Sequence, residues 1–413
     1  MSKPKLKVLF VTPYITNPIS AEFMRNQTGF GYMVFDIARS VGKTEHVDLI
    51  TSQCFTEGMS LDGVRILRNT KNMVRGLNFR CVIDGLKFLC NHRLPFMSAM
   101  RAFYMYLFAA KLNRIVRNYD VVHIHGVSPL TDATINVCMR NRIPFVVTLH
   151  GLNSFDDTVS LHPALKQYEK EFLSDACVKG WPVSFISSGN IKNVESYLGM
   201  TCRNFHVISN GCDVTEKETG VAEQARLLSD DDFVFVCVGN VSKNKNQIQI
   251  ARSWSLMPYE DRKRTKVLFV GRYEPDGELA CYIRDNDLRD SLILCGLQPK
   301  ELLPSYYRLA DATILTSFAE GFGLSIIEGF VYGKPCVTFS DLPAFNDIFD
   351  KSAIIAPTDR SDVALASAMS EVIHGSFDAD AIKAYSTKFS YESMAERYYK
   401  LYCSIVGYEE NIE

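Results

Sequence analysis

Ser317-Phe-Ala-Glu-Gly-Phe-Gly-Leu-Ser-Ile-Ile-Glu-Gly-Phe-Val-Tyr-Gly-Lys-Pro-Cys336 lies between two apolar runs, Ala312–Thr316 and Pro335–Phe339. Apolar run, glycine-bearing turn, short helix and second apolar run read as one β-α-β unit with a polar mouth. Glu320 sits in the turn, where Gly321 and Gly323 let the backbone pass close to a ligand. The N–H groups there point outward at a helix N-terminus, a natural place for an anion. Leu324 and Glu328 are four residues apart, so the first free amides and the second carboxylate share a helix face. Amides for an anion beside carboxylates for hydroxyls suit a nucleotide sugar, which carries both.

The same alternation extends outward from this unit. Upstream of it, strands are expected at Phe233–Gly239, Val267–Gly271, Leu292–Cys295 and Ala312–Leu315, with helices near 247–256, 278–286 and 300–309. An earlier set of strands falls at Val8–Val11, Asp120–His125, Pro144–Leu149, Val183–Ser187 and Phe205–Ser209. Helices are expected between them, near 32–41, 129–141, 164–177 and 190–198. Alternation of this kind means parallel sheets covered by helices on both faces, with ligands at the carboxyl ends of the strands. A length of 413 residues also suits two domains. The expected division is an α/β first domain over 1–213, a polar linker over 214–231 and a second α/β domain over 232–389. A last helix, 390–407, carries Met394, Tyr398, Leu401, Tyr402 and Ile405 on one side.

Composition narrows the class. The chain is 47% hydrophobic and 22% charged, as soluble globular proteins are, and its net charge of -2 gives no electrostatic case for nucleic acid. Twelve cysteines are scattered without C-x-x-C spacing, and Cys237, Cys295 and Cys336 fall in apolar strands. Reduced, buried thiols in a cytoplasmic protein are therefore expected, rather than a disulfide framework or a zinc site. The apolar run Val8–Val11 ends at Thr12-Pro13, too short for an export segment.

Three further places carry candidate chemistry. Asn26–Gly31 precedes a helix after the first strand, and Gly29-Phe-Gly31 supplies part of a dinucleotide fingerprint; a plain turn and a phosphate loop both fit. His123, His125 and His150 fall at or near strand ends, and His150 reads either as a functional group or as a strand cap. Gly239-Asn-Val-Ser-Lys-Asn-Lys245 follows a strand and precedes a helix, which suits an anion as well as a solvated turn. Separately, residues 71–118 hold nine Lys or Arg against one acid, Asp84, with Met100, Phe103, Tyr104, Leu107 and Phe108 at helical spacing. That stretch reads as a face for an anionic membrane or lipid-linked acceptor, or as a core helix.

Glu320-Gly-Phe-Gly-Leu-Ser-Ile-Ile-Glu328 resembles the two-glutamate signature of the retaining glycosyltransferases of family 4. Further segments resemble family landmarks in the same order. They are Tyr119–Gly126, Thr148–Gly151, Val207–Asp213, Val238-Gly239 with Lys245, and Gly296-Leu297 before Lys300. The resemblance covers essentially the whole chain. It implies the GT-B fold, two Rossmann-like doubly wound domains facing across a cleft, with the C-terminal helix crossing back to the first domain.

The resemblance also implies roles. Glu320 is expected to bind hydroxyls of the transferred sugar, and Glu328 the hydroxyls of the ribose. The amides of Gly321, Phe322, Gly323 and Leu324 are expected to meet sugar and diphosphate, with Leu297 beside the base. Gly239 and Asn240 belong to the same donor pocket, and Lys245 is expected to neutralise the leaving diphosphate. His150 is expected beside the sugar, and Gly29 and Gly31 near the phosphates. The implied reaction moves a sugar from a UDP- or GDP-sugar to a hydroxyl of a glycan, lipid-linked or small-molecule acceptor, with retention, no metal and no cofactor. Peripheral contact with the inner membrane face fits such an acceptor.

The sequence departs from the family pattern in three places. Asn240 stands where arginine usually follows the strand-end glycine, a charged contact worth roughly 1.5–3 kcal/mol; Lys243 and Arg272 are candidate substitutes. Ser209 replaces the usual proline of its turn, and the loop Tyr14–Thr28 lacks the usual adjacent glycine pair. Asn240 supports an alternative, a non-catalytic nucleotide-sugar-binding protein of the same fold. An NAD-dependent oxidoreductase fits less well, because neither strand-end loop completes the glycine fingerprint.

Overall fold

A computed structural model of the chain describes residues 5–17, 21, 23–25, 28–53, 58–69, 78–155, 161–217, 220 and 222–408. The chain divides into two compact units, Met1–Asn210 with Tyr391–Glu413, and Gly211–Ser390. Residues 18–20, 22, 26 and 27 of the first loop, and 71–77 of the basic stretch, lie outside the described residues.

In the first unit the strands are β1 (Lys7–Thr12), β2 (His46–Thr51), β3 (Met59–Leu61) and β4 (Val64–Ile66). β5 (Val121–His125), β6 (Phe145–Leu149), β7 (Val183–Phe185) and β8 (Phe205–Val207) follow. They form one sheet in the order β3-β4-β2-β1-β5-β6-β7-β8, parallel except where β3 meets β4. Asp62 and Gly63 turn that hairpin with φ of 48° and 82°, the left-handed pair that a two-residue hairpin requires. Its helices are α1 (Gly29–Gly42), α2 (Phe79–Asn91), α3 (Phe96–Ile115), α4 (Pro129–Asn141), α5 (Pro163–Lys179) and α6 (Ser188–Leu198). Every residue of β5 and β6 is buried, as expected of central strands with helices on both faces.

The second unit holds β9 (Phe233–Val238), β10 (Thr265–Val270), β11 (Leu292–Gly296), β12 (Ala312–Ile314), β13 (Cys336–Val337) and β14 (Ile354–Ile355). All pairs are parallel, in the order β11-β10-β9-β12-β13-β14. Counted within the unit this is 3-2-1-4-5-6, the Rossmann order, and the side on which successive strands are added switches between β9 and β12. Its helices are α7 (Gln247–Leu256), α8 (Tyr259–Arg262), α9 (Glu278–Asp285), α10 (Leu303–Leu309) and α11 (Leu324–Val331), then α12 (Phe345–Ile348), α13 (Asp362–His374) and α14 (Ala379–Ser386). α13 packs on α7 and brings Leu365, Met369 and Val372 into the core with Ile250 and Trp254.

The last helix, α15 (Tyr391–Val406), belongs to the first unit. Tyr398 and Tyr402 are fully buried, and their hydroxyls reach Thr148 Oγ1 at 3.2 Å and His123 Nδ1 at 2.7 Å. At its start Tyr391 donates to Asp36 at 3.0 Å, and Lys43 pairs with Glu392 at 2.6 Å.

The fold differs from the sequence reading at its cysteines and at several elements. Cys177 and Cys202 form a disulfide, against the expectation of reduced thiols throughout. Their separation of 25 residues carries no motif; the end of α5 and the turn after α6 bring them together. Strands β2 and β4 also went unread. Asp48 interrupts the apolar pattern of β2, and it is accommodated there by Arg65 of β4 and by Tyr119. Among the described residues, no helix is long and apolar enough to cross a membrane.

Candidate active site

The loops that leave β9 and β12 open at the switch point of the second unit. Lys245, in the first loop, forms an ion pair with Glu320, in the second. Ser317 Oγ adds a hydrogen bond to the same carboxylate at 3.2 Å. Neither side chain is lost to the core: Lys245 keeps 27% of its exposure and Glu320 19%. A cation and a carboxylate thus share one rim where an open α/β sheet takes its ligand.

The two loops are locked together by hydrogen bonds of the Asn244 and Thr316 side chains and by one between backbone groups. Asn244 Nδ2 donates to the Ala319 carbonyl and its Oδ1 accepts from the Ala319 amide, both at 2.9 Å. The Phe318 amide donates to the Asn244 carbonyl at 2.8 Å. Thr316 Oγ1 reaches the carbonyls of Lys245 and Asn246 at 3.0 Å each. From the other side Arg360 donates to the Ser317 carbonyl at 2.9 Å, anchored by Asp341 at 2.6 Å and lying over the Phe339 ring. Asn244, Thr316, Ser317 and Arg360 were not anticipated. Asn244 sat unremarked in a Lys/Asn turn, and nothing near Arg360 in sequence ties it to this loop.

α11 begins where the sequence places it. Gly323 caps it with φ of 87°, and Leu324 is its first residue. Glu328 accepts a 2.7 Å hydrogen bond from the buried Tyr307 hydroxyl, which fixes one carboxylate oxygen. Burial, and then the nearby Glu328 charge, raise the Tyr307 hydroxyl well above its ordinary value, so it remains a donor. Phe322 turns inward, 2% exposed and against Phe389, so only its backbone is offered to a ligand. Leu297, just past β11, is 58% exposed.

The β9 and β10 ends press together. Gly239 has φ of 149° and Gly271 of 156°, and a Cβ on Gly271 would lie 2.2 Å from the Gly239 carbonyl oxygen. Asn240 Oδ1 accepts the Arg272 amide at 2.9 Å, so its amide oxygen serves to hold the two loop ends in register. Arg272 itself is exposed beside it.

In the first unit, Gly29 and Gly31 lie inside the first turn of α1, not in a loop as the sequence reading had it. Thr28 caps the helix by accepting the Gly31 amide at 3.2 Å. Gly31 is required by packing, since a Cβ there would fall 2.2 Å from Thr16 Oγ1; around Gly29 the space is open. His150 follows β6 and meets the Phe30 ring edge-on at 5.1 Å. Its Nε2 lies 3.1 Å from His125 Nδ1. His123 is engaged at both ring nitrogens, by Tyr402 and by Thr148 Oγ1 at 2.6 Å, and serves the core.

Burial lowers the His150 imidazole to about 4 and takes His123 and His125 well below their ordinary value. All three are neutral at neutral pH. Released from the fold they take up protons below about pH 6.5. The stability they contribute is therefore complete above that pH and is lost as the pH falls towards 4. Thermal melting followed from about pH 7 down to about pH 4.5 is expected to show a steady fall in melting temperature. A flat profile would contradict the burial of neutral imidazoles.

Two family models match consecutive parts of the chain, Glycosyltransferase Family 4 over residues 84–216 and Glycosyl transferases group 1 over residues 221–389. The chain belongs to glycosyltransferase family 4. Among curated proteins, this glycosyltransferase is 24% identical to the GDP-mannose:cellobiosyl-diphosphopolyprenol alpha-mannosyltransferase of Xanthomonas campestris, over 71% of this chain and 76% of that one. It is 22% identical to the O-antigen biosynthesis glycosyltransferase WclY of Escherichia coli, over 71% and 82%. Its fold matches that of sucrose-phosphate synthase from Thermosynechococcus elongatus with a TM-score of 0.70, at 15% identity over 98% and 100% of the two chains. It likewise matches Anabaena HepE in complex with UDP and glucose, with a TM-score of 0.65, at 15% identity over 97% and 100%. The glycosyltransferase has the GT-B fold that the two-glutamate segment implied.

Proposed function

We propose that the protein transfers a sugar, with retention of configuration, from a UDP- or GDP-sugar to a hydroxyl of a glycan or lipid-linked acceptor in glycoconjugate biosynthesis. The observation that carries this reading is the meeting of Lys245 and Glu320 at the switch point of the second unit. Donor binding draws the Lys245 ammonium from Glu320 to the diphosphate, where it neutralises the charge that builds as the sugar–phosphate bond breaks. Glu320 then holds sugar hydroxyls, and Glu328 the ribose. The amides of Gly321–Leu324 meet the sugar and diphosphate, with Leu297 flanking the base. Gly239 and Asn240 line the same mouth. With Lys245 in that role the reaction calls for no resident metal or cofactor. The Xanthomonas relative, named for GDP-mannose and a diphosphopolyprenol acceptor, and the HepE complex with UDP support the two donor bases and the acceptor class.

A thermal-shift panel of UDP- and GDP-sugars, followed by NMR of the product anomer, tests the proposal. Stabilisation by one donor and a product of unchanged anomeric configuration are expected. An inverted product would overturn the mechanism, and donor binding without nucleotide release in the presence of any extracted acceptor would favour a non-catalytic binder. Tyr307→Phe removes the hydrogen bond that fixes Glu328. It is expected to weaken donor affinity about tenfold by calorimetry, with kcat nearly unchanged.

A further inference from the structure

Asn240 stands where the family pattern has a charged side chain, and here that side chain faces the neighbouring loop. Its Oδ1 accepts the Arg272 amide at 2.9 Å. The Arg272 carbonyl in turn accepts the Val241 amide at 2.8 Å. Arg272 is therefore held through both of its backbone polar groups, directly beside Asn240. Asn240 is fixed from its other side, since the buried Gln247 donates through Nε2 to the carbonyls of Gly239 at 3.3 Å and Asn240 at 3.2 Å. Gly271, having no Cβ, lets the two strand ends close to this distance. An arginine at 240 has only donors and could not accept the Arg272 amide. The residue that lacks the charge thereby holds a charged neighbour in place.

The guanidinium so placed is open to a ligand. Arg272 is exposed and has no ion-pair partner among the described residues, whereas Lys245 is paired with Glu320. Of the acids that follow Arg272, Asp276 faces Arg284 instead, at 4.0 Å. Lys243, the other exposed cation of the two loops, has no comparable tether among the described residues. The order of the strands supplies the direction. Their carboxyl ends run β11, β10, β9, β12. In the proposed reading Leu297, after β11, flanks the base, and Glu320, after β12, holds the sugar. A nucleotide sugar laid from one to the other carries its diphosphate across the ends of β10 and β9, which bear Arg272 and Lys245. Neighbouring strands lie about 5 Å apart, so the two loops serve adjacent positions along that ligand.

We propose that Arg272 binds the donor diphosphate at the phosphate nearer the nucleoside, supplying the charge that Asn240 does not, with Asn240 as its positioning residue. This assignment rests on the reading of Lys245 and Glu320 as a nucleotide-sugar site. The roles of the two cations differ because their places differ. Lys245, beside the sugar, meets the phosphate on which charge grows as the sugar–phosphate bond breaks. Arg272 meets a phosphate whose charge changes little in that step. It therefore contributes to donor binding more than to the rate of transfer.

Calorimetry of UDP and of GDP with the full chain, beside donor kinetics, tests the assignment. Arg272→Gln is expected to weaken binding of the diphosphate that the parent takes by about ten- to a hundredfold. The donor KM is expected to rise by the same factor, with kcat nearly unchanged. Arg272→Lys is expected to recover part of the loss, because the charge returns but the planar fork does not. Both variants are expected to melt as the parent does, since the side chain is exposed. Asn240→Ala is expected to weaken binding in the parent and to add nothing in the Arg272→Gln background, because it acts through Arg272. Unchanged affinity in Arg272→Gln overturns the proposal, as does a loss confined to kcat, or a loss in Lys243→Ala with none in Arg272→Gln. Equal losses from Asn240→Ala in both backgrounds overturn it too. If the parent binds neither UDP nor GDP, the donor reading itself falls and takes this assignment with it; if the parent binds and Arg272→Gln binds equally, this assignment alone falls.

Discussion

Lys245→Ala is expected to lower the rate of sugar transfer at least about a hundredfold while leaving the melting temperature within a few degrees of the parent. The side chain springs from a loop, its ammonium lies at the rim, and among the described residues it meets only Glu320 in an ion pair. Its removal therefore costs little packing. What it removes is a fixed positive charge at the place where the proposed leaving diphosphate gains negative charge. If the interaction is made mainly in the transition state, kcat falls and donor affinity changes far less. Glu320→Gln separates the two partners. It keeps the shape and the hydrogen bond from Ser317 but discards the ion pair, and a loss of similar size is expected from weaker contact with the sugar. Calorimetric donor binding beside a nucleotide-release assay reads both quantities. Near-normal turnover in both variants would remove these residues from the proposed site, whatever reaction the protein carries out.

The pair also marks the limit of what the sequence disclosed. Each member was legible where it stood, Glu320 in a glycine turn and Lys245 in a strand-end loop. Their contact was not, because it spans 75 residues and depends on β12 taking the place beside β9. Local pattern predicts that a strand exists; the order of strands is a property of the sheet. The same reasoning accounts for the helices. Gln247–Leu256 matches its expected bounds, since Met257-Pro258 stops it. α13 escaped notice because its alanines and serines, Ala364, Ala366, Ser367 and Ala368, blur the contrast between its faces. Gly29 and Gly31 misled in the other direction. Two glycines after a polar run suggest a loop, yet Thr28 caps the segment and Thr16 packs against Gly31, so the helix starts at the first glycine. Arg360 could not have been found from sequence. It acts through the Ser317 carbonyl, and a backbone carbonyl leaves no residue signature.

Gly271→Ala is expected to destabilise the second unit by about 3–5 kcal/mol, more than any other single methyl group proposed here. Two penalties combine. The φ of 156° falls where side chains are strained, and the added Cβ would sit 2.2 Å from the Gly239 oxygen, 2.5 Å from its carbon and 2.8 Å from the Asn240 nitrogen. All three atoms are backbone, so no rotamer change relieves the clash. They are also held from behind, because the Gly239 amide donates to Val270 and the Val241 amide to Arg272. Gly296→Ala supplies the comparison: its φ is 72°, nothing lies within 4 Å of the added atom, and only the backbone cost of about 1–2 kcal/mol applies. Urea unfolding of both variants, followed by Trp254 fluorescence in a Trp181→Phe background, reports on the second unit, since Trp254 donates to the Thr265 carbonyl at the start of β10. A Gly271→Ala variant no less stable than Gly296→Ala would mean that the β9 and β10 ends can part. Asn240, whose side chain receives the Arg272 amide, would then no longer be fixed at the rim of the site.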